Sequence, residues 1–191
     1  MKERPIIFSG PMVSAILAGR KTQTRRVIKD PQDETGGQYC IEYADEKPDQ
    51  LVHLHNPKCS CFCDYTCNYP CPFGQPGDRL WVRETFYCNA GEYYFRADMP
   101  DKGDREAPGW RPSIHMPRAE SRITLEITAV RVERLQVIPT EDALAEGYQA
   151  DITRAPVTWY RELWDSINGK RPGCSWTANP WVWVIEFKRI K

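Results

Sequence analysis

The stretch SRITLEITAVRVERL, residues 121–135, constrains this chain most, because Ile123, Leu125 and Ile127 alternate with polar neighbours. A period of two places those side chains on one face of an extended strand, and that face has to be covered. The ending PWVWVIEFKRI, residues 180–190, is rich in β-branched and aromatic residues and reads as a second strand. Shorter strands are expected at PIIF (5–8) and within GDRLWVRETFY (77–87), where Leu80 and Val82 alternate with Arg79, Trp81 and Arg83. The tripeptide NAG then turns the chain into EYYFRAD (92–98) as a hairpin.

Helical spacing is carried by fewer residues. Ser9 and Pro11 precede Met12, Val13, Ile16 and Leu17, which predict a helix of about two turns that stops at Gly19. Thr140 is expected to cap a short helix, with Glu141 and Asp142 in its first turn and Gly147 at its end. Tyr160, Leu163, Trp164 and Ile167 mark another helix, stopped near Gly169. Five or six strands, two or three short helices and no internal repeat predict a small α+β or barrel-like fold. At 191 residues and 41% hydrophobic content, one domain over 1–191 can bury a sizeable core.

Two stretches break this regularity. From Ile28 to Gly77 turn residues abound and periodicity is lost, which reads as an insertion held by something other than a core. Residues 99–120 read as a long ordered loop that carries Trp110, His115 and Arg118. Within the insertion Cys59, Cys61, Cys63, Cys67 and Cys71 cluster, with His53 and His55 just upstream. Four thiolates can enclose zinc at about 2.3 Å and support such a loop, and a closed site of that kind is structural, not catalytic. Free thiols are the plainer alternative, and disulfides come third. Cys40, Cys88 and Cys174 stand apart as ordinary small side chains. Nothing in the sequence asks for an organic cofactor.

Charge narrows the possible partners. Lys and Arg total 26 and Asp and Glu 26, so no global polyanion-binding charge exists and any nucleic-acid contact needs a local patch. Charged residues follow Met1 at once, and no apolar run approaches membrane-spanning length. The expectation is therefore a cytoplasmic protein without a signal peptide or a membrane partner.

The best local patch is ILAGRKTQTRR, residues 16–26, where Arg20, Arg25 and Arg26 surround Lys21. A lysine is no base at its reference pKa of about 10.4. Neighbouring cations and partial burial both disfavour its charged form, after which it can take a proton from Thr24 or Thr22. The plainer alternative is a solvated basic strand that holds phosphates. In a regular strand positions 21 and 24 point to opposite faces, so cooperation requires an irregular backbone there. His115 is a candidate for touching substrate, though a packed or surface role is commoner. Trp81, Trp110, Trp181 and Trp183 can stack on bases or simply fill a core.

ILAGRKTQT, GDRLWVRE, ITLEITAVRVERL, TEDALAEG and WVWVIEFKRI, in that order, resemble the ASCH family. The first and last are similar in detail to its bacterial N4-acetylcytidine amidohydrolase branch. The resemblance covers roughly a quarter to a third of the chain. It implies a PUA-like fold, a small mixed β-barrel with short flanking helices that is associated with RNA. It also implies roles: Lys21 as proton acceptor, Thr24 as nucleophile, and Glu146, matched through Ala143–Glu146 and the following Gly147, as proton donor. Taken without the resemblance, Glu146 reads as a solvated helix-end carboxylate. PGDRLWVRE, WRPSIHMPR and LWDSINGKRPG are similar to a longer ASCH-like group of phages and prophages.

The expected activity is thus hydrolysis of an acyl-amide on a modified nucleoside. The alternatives are an RNA- or DNA-binding module or nuclease that uses Arg20, Lys21, Arg25 and Arg26 on phosphates, and a phage accessory protein docking through the insertion.

Overall fold

The computed structural model describes residues 1–28, 40–43, 52–55, 68–69, 71–99, 109–149 and 153–191. The architecture is α+β around a mixed sheet. The main sheet contains β1 (Glu3–Ile7), β2 (Gln23–Val27), β6 (Arg79–Arg83), β9 (Thr124–Arg134) and β10 (Trp181–Arg189). Their spatial order is β1-β6-β9-β10-β2, with β1 parallel to β6 and the other neighbours antiparallel. Between β2 and β6 in sequence, β3 (Cys40–Tyr43), β4 (Val52–His55) and β5 (Asn68–Tyr69) form a separate three-stranded sheet. A hairpin of β7 (Phe86–Asn89) and β8 (Glu92–Phe95) turns at Ala90 and Gly91, both at positive φ.

The two faces of the main sheet bury different cores. Along β10, Trp183, Ile185 and Phe187 join Ile6, Phe8, Leu80, Val82, Ile123 and Leu125 in one cluster. Helix α1 (Gly10–Leu17) closes that cluster with Val13 and Ile16. Val182 and Val184 lie on the other face, against Leu135, Ala143, Tyr160 and Trp164. Those partners include side chains of α2 (Thr140–Ala145) and α3 (Pro156–Asn168). Each fully buried aliphatic or aromatic side chain contributes roughly 1.5–3 kcal/mol, so the strand shared by both cores is the main stabilising element.

The alternation read in residues 121–135 does not run unbroken. Phe187 pairs with Ile127 and Glu186 with Ala129, so Thr128 is an extra residue in β9. This bulge shifts the inward positions from Ile123, Leu125 and Ile127 to Val130 and Val132, all in the same core. Thr140 begins α2 and does not cap it; Pro139 holds the cap position and no side-chain cap bond forms.

The outer strands of the sheet, β1 and β2, approach each other. Arg26 Nη2 in β2 donates to the Ile7 carbonyl in β1 at 2.7 Å. No backbone ladder joins these two strands among the described residues. No helix among the described residues is long and apolar enough to cross a membrane.

Candidate active site

The site forms where the chain leaves α1. The backbone N–H groups of Arg20 and Lys21 both donate to the Ala15 carbonyl, at 2.9 and 3.1 Å, which wraps the chain over the helix end. Lys21 then pairs with Glu146 in a single antiparallel bridge, and the Thr22 N–H donates to the Ala145 carbonyl at 2.9 Å. Regular pairing of β2 with β10 starts only at Gln23. Residues 20–22 thus lie outside strand β2, although the Phe187 N–H of β10 still donates to the Thr22 carbonyl at 2.8 Å.

Glycine at position 147 makes this approach possible. Gly147 has φ +101°, and a Cβ there would meet the Ala15 Cβ at 2.9 Å and the Lys21 Cβ at 3.1 Å. Only a residue without a side chain combines that conformation with that contact.

Lys21 has no exposed side-chain surface. Its ammonium donates to Glu146 Oε2 at 2.6 Å and to the Glu146 carbonyl at 3.0 Å, and it lies 5.7 Å from the centre of the Phe8 ring. Burial is the largest influence on Lys21 and pulls its pKa below the ordinary lysine value; Glu146 opposes this, and Arg26 and Arg25 add to it. The arginines thus have the direction the sequence suggested but a lesser share than burial.

Glu146 is buried at 3% exposure, not solvated, and accepts from Arg25 Nη1 at 3.4 Å through Oε1. Arg25, expected to meet substrate phosphate, is fully enclosed. Its Nη2 donates to Asp142 Oδ2 at 2.5 Å and to Glu133 Oε2 at 3.1 Å. Such a guanidinium is committed to carboxylates and is no surface phosphate ligand. Arg131 extends the network to Asp142, Glu133 and Glu186. Burial, the largest influence on Asp142, raises its pKa, but the bonds and charges from its partners outweigh that and hold the carboxyl below its ordinary value.

Arg26 stacks over Phe8 at 5.3 Å on the opposite face of β2. Thr24 sits there too, opposite Ile185 and 3% exposed. Both hydrogen bonds of the Lys21 ammonium go to Glu146, so none joins it to Thr24. Arg20 is exposed and donates to the Gly147 carbonyl at 3.1 Å.

Beside this pair opens a cleft of about 750 Å³, bordered by residues that include Glu146, Gly147, Arg20, Arg96, Trp159 and Leu163. Neither Lys21 nor Thr24 is among the residues that border it. Trp110 and His115 do not border the cleft. Trp110 is half-buried, edge-on to Tyr87 at 6.4 Å, and His115 is exposed in a short turn at Ser113–His115.

Sequence reasoning missed Arg96, Trp159, Asp142 and Tyr160 as site residues. Tyr160 shares its helix phase with core residues, so its spacing signals packing alone. Burial, and then the Glu146 charge, push its phenol well above the ordinary tyrosine value.

Of the cysteine cluster, Cys59, Cys61, Cys63 and Cys67 lie outside the described residues. Cys71 is half-buried against the first core. Burial, the largest influence, raises its thiol pKa, while backbone hydrogen bonds from Phe73 and Gly74 act the other way. No group of three or more metal-ligating side chains occurs among the described residues. The chain matches no protein-family model, no curated protein and no solved structure.

Proposed function

We propose that this chain is an ASCH-type amidohydrolase that removes an acyl group from the amine of a modified nucleoside such as N4-acetylcytidine, in the cytoplasm. The observation that carries the reading is the buried 2.6 Å hydrogen bond between Lys21 and Glu146, a residue that borders a cleft large enough for a nucleoside. In the proposed reaction Lys21, once neutral, takes the Thr24 hydroxyl proton. Thr24 Oγ attacks the acyl carbonyl, and Glu146 gives a proton to the departing amine. Water then releases the acid and restores the hydroxyl. Lys21 and Glu146 exchange a proton along one hydrogen bond, which resets both groups. Thr24 reaches the acyl carbon only if substrate binding brings it alongside Lys21, since catalytic hydrogen bonds tighten in the substrate complex.

A PUA-like barrel is the proposed form of the fold. Its support is the approach of the outer strands β1 and β2, bridged by Arg26 to Ile7. Binding of RNA or DNA phosphates by the basic stretch gains less support. Two of its four cations, Lys21 and Arg25, have no exposed side-chain surface and are bound to carboxylates.

Structural zinc in the insertion also stands as a proposal, with four of Cys59, Cys61, Cys63, Cys67 and Cys71 as ligands. The support is the density of thiols in the sequence; Cys71 itself packs against the first core, where burial raises its thiol pKa, so a bound metal would have to offset that cost. Metal analysis of the purified protein checks it; about one zinc per chain is expected.

The function is tested by incubating the protein with N4-acetylcytidine and following release of acetate, beside Lys21→Ala and Thr24→Ala. The parent should turn over, and each variant should lose about 10²-fold or more. An inactive parent refutes the activity, and active variants refute the assigned roles.

A further inference from the structure

Arg25 has no part in the deacylation chemistry, yet its side chain is as fully enclosed as that of Lys21. A guanidinium keeps its charge in proteins, so enclosing one is costly unless its donors are matched. Here they are divided among three carboxylates. Nη1 donates to Glu146 Oε1 at 3.4 Å, while Nη2 donates to Asp142 Oδ2 at 2.5 Å and to Glu133 Oε2 at 3.1 Å. Asp142 and Glu146 stand four residues apart, and the Glu146 N–H donates to the Asp142 carbonyl at 2.9 Å. That spacing puts both carboxylates on one face of the helix end, one turn apart. Gln23, two residues before Arg25, donates from Nε2 to the same carbonyl at 3.3 Å. Strand β2 therefore grips the end of α2 through two of its side chains.

The two oxygens of Glu146 have different partners: Oε1 meets Arg25 and Oε2 meets Lys21. Rotation of the carboxyl out of this plane would weaken both bonds together. Resting on the deacylation reading above, we propose that Arg25 is a positioning residue of the site: its fork ties Glu146 to Asp142 and so aims Oε2 at the Lys21 ammonium. It acts through Glu146, and it also sets when the pair gives up its proton. A fixed positive charge disfavours a proton on the pair, so the pair releases it at lower pH than beside a neutral side chain. Burial is the larger influence on Lys21, and Arg26, over Phe8, and Arg25 add to it. Tyr160 of α3 is a further hydrogen-bond partner of Glu146, and its ring centre lies 6.0 Å from the Arg25 guanidinium carbon. Asp142 of α2 and Glu133 of β9, both also bound by Arg131, temper the charge of Arg25 without removing it.

The test follows Lys21 Nζ by NMR in protein labelled with ¹⁵N-lysine, with Lys21→Met giving the assignment. Arg25→Gln, which removes the charge, should raise the pH at which Lys21 loses its proton by about one unit or more, a tenfold gain in proton affinity. Arg25→Lys keeps the charge but loses the fork, so that pH should stay at the parent's value. Exchange of its Nζ protons with water should instead quicken about five- to tenfold, the worth of one hydrogen bond. With N4-acetylcytidine both variants should lower kcat and leave KM nearly unchanged, and only Arg25→Gln should move the rising limb of the pH profile upward.

A merely structural role lowers the melting temperature and the activity at every pH, with titration and exchange as in the parent; that result overturns the proposal. If Arg25→Gln does not fold by circular dichroism, Arg25→Lys decides, and parent-like exchange there overturns it. If the parent does not turn over N4-acetylcytidine, the deacylation reading fails. Titration and exchange then still show whether Arg25 governs the pair, and unchanged values overturn that claim on their own.

Discussion

Lys21 and Glu146 are paired twice, by a backbone bridge and by a 2.6 Å hydrogen bond between side chains that are 0% and 3% exposed. The backbone pairing fixes where the two side chains start, so little conformational freedom remains to be lost in bringing them together. Charges without solvent need such geometry, because removing one leaves the other buried and unmatched.

Removal of one partner should therefore be costly. Lys21→Met is expected to lower stability by about 3–5 kcal/mol. The double variant Lys21→Met with Glu146→Leu should lose less than the sum of its two single changes. A denaturant-based double-mutant cycle measures this; additive losses would show that the two groups do not stabilise each other.

Deprotonation of Lys21 should be visible in pH dependence. Its folded pKa lies below 10.5, so between the two values the unfolded chain holds a proton that the folded chain has released. Stability contributed by this group then rises with pH across that window. On the proposed mechanism kcat/KM also rises as pH climbs through the lowered value, and the limb is absent in Lys21→Ala. A lysine Nζ resonance that titrates at 10.5 or above sinks this account.

At the acid end the sign reverses. Asp142 has its folded pKa below 3.8, so the stability it lends is present above 3.8 and is lost as pH falls through the folded value. Asp142→Asn should flatten the acid limb of a stability-versus-pH curve obtained by chemical unfolding. An unchanged limb would exclude the Arg25–Asp142 pair as its source.

Gly147→Ala should lower the melting temperature, and with it any deacylase activity. The added Cβ meets backbone strain and a 2.9 Å contact with Ala15 at once. A loss of roughly 1–3 kcal/mol is expected from strain of this kind. A melting temperature at or above the parent's would mean that α2 can draw back from Lys21 freely.

Deletion of Thr128 tests the bulge. Without the extra residue, either Ile123, Leu125 and Ile127 or Val130 and Val132 must leave the core. Circular dichroism and melting should report loss of the cooperative fold, whereas Thr128→Ser should leave it intact. A well-folded deletion variant would show that β9 can repair its register.

Much of the fold is local and so was legible in the chain. Alternation at Leu80 and Val82, spacing at Val13 and Ile16, and the β-branched run before Arg189 each identify an element, because a side chain's direction follows from backbone period alone. The bulge was not legible, since alternation on either side of Thr128 looks regular and only the partner strand β10 reveals the slip. At the site, the sequence marked Lys21 as unusual by its cationic neighbours, and a resemblance pointed to Glu146. It said nothing of burial, which exerts the largest influence on Lys21, nor of Arg25 turning inward while Arg20 stays exposed. Adjacent charged residues are chemically alike on paper. Which of them meets a carboxylate and which meets solvent depends on α2, α3 and β9 arriving from more than a hundred residues away.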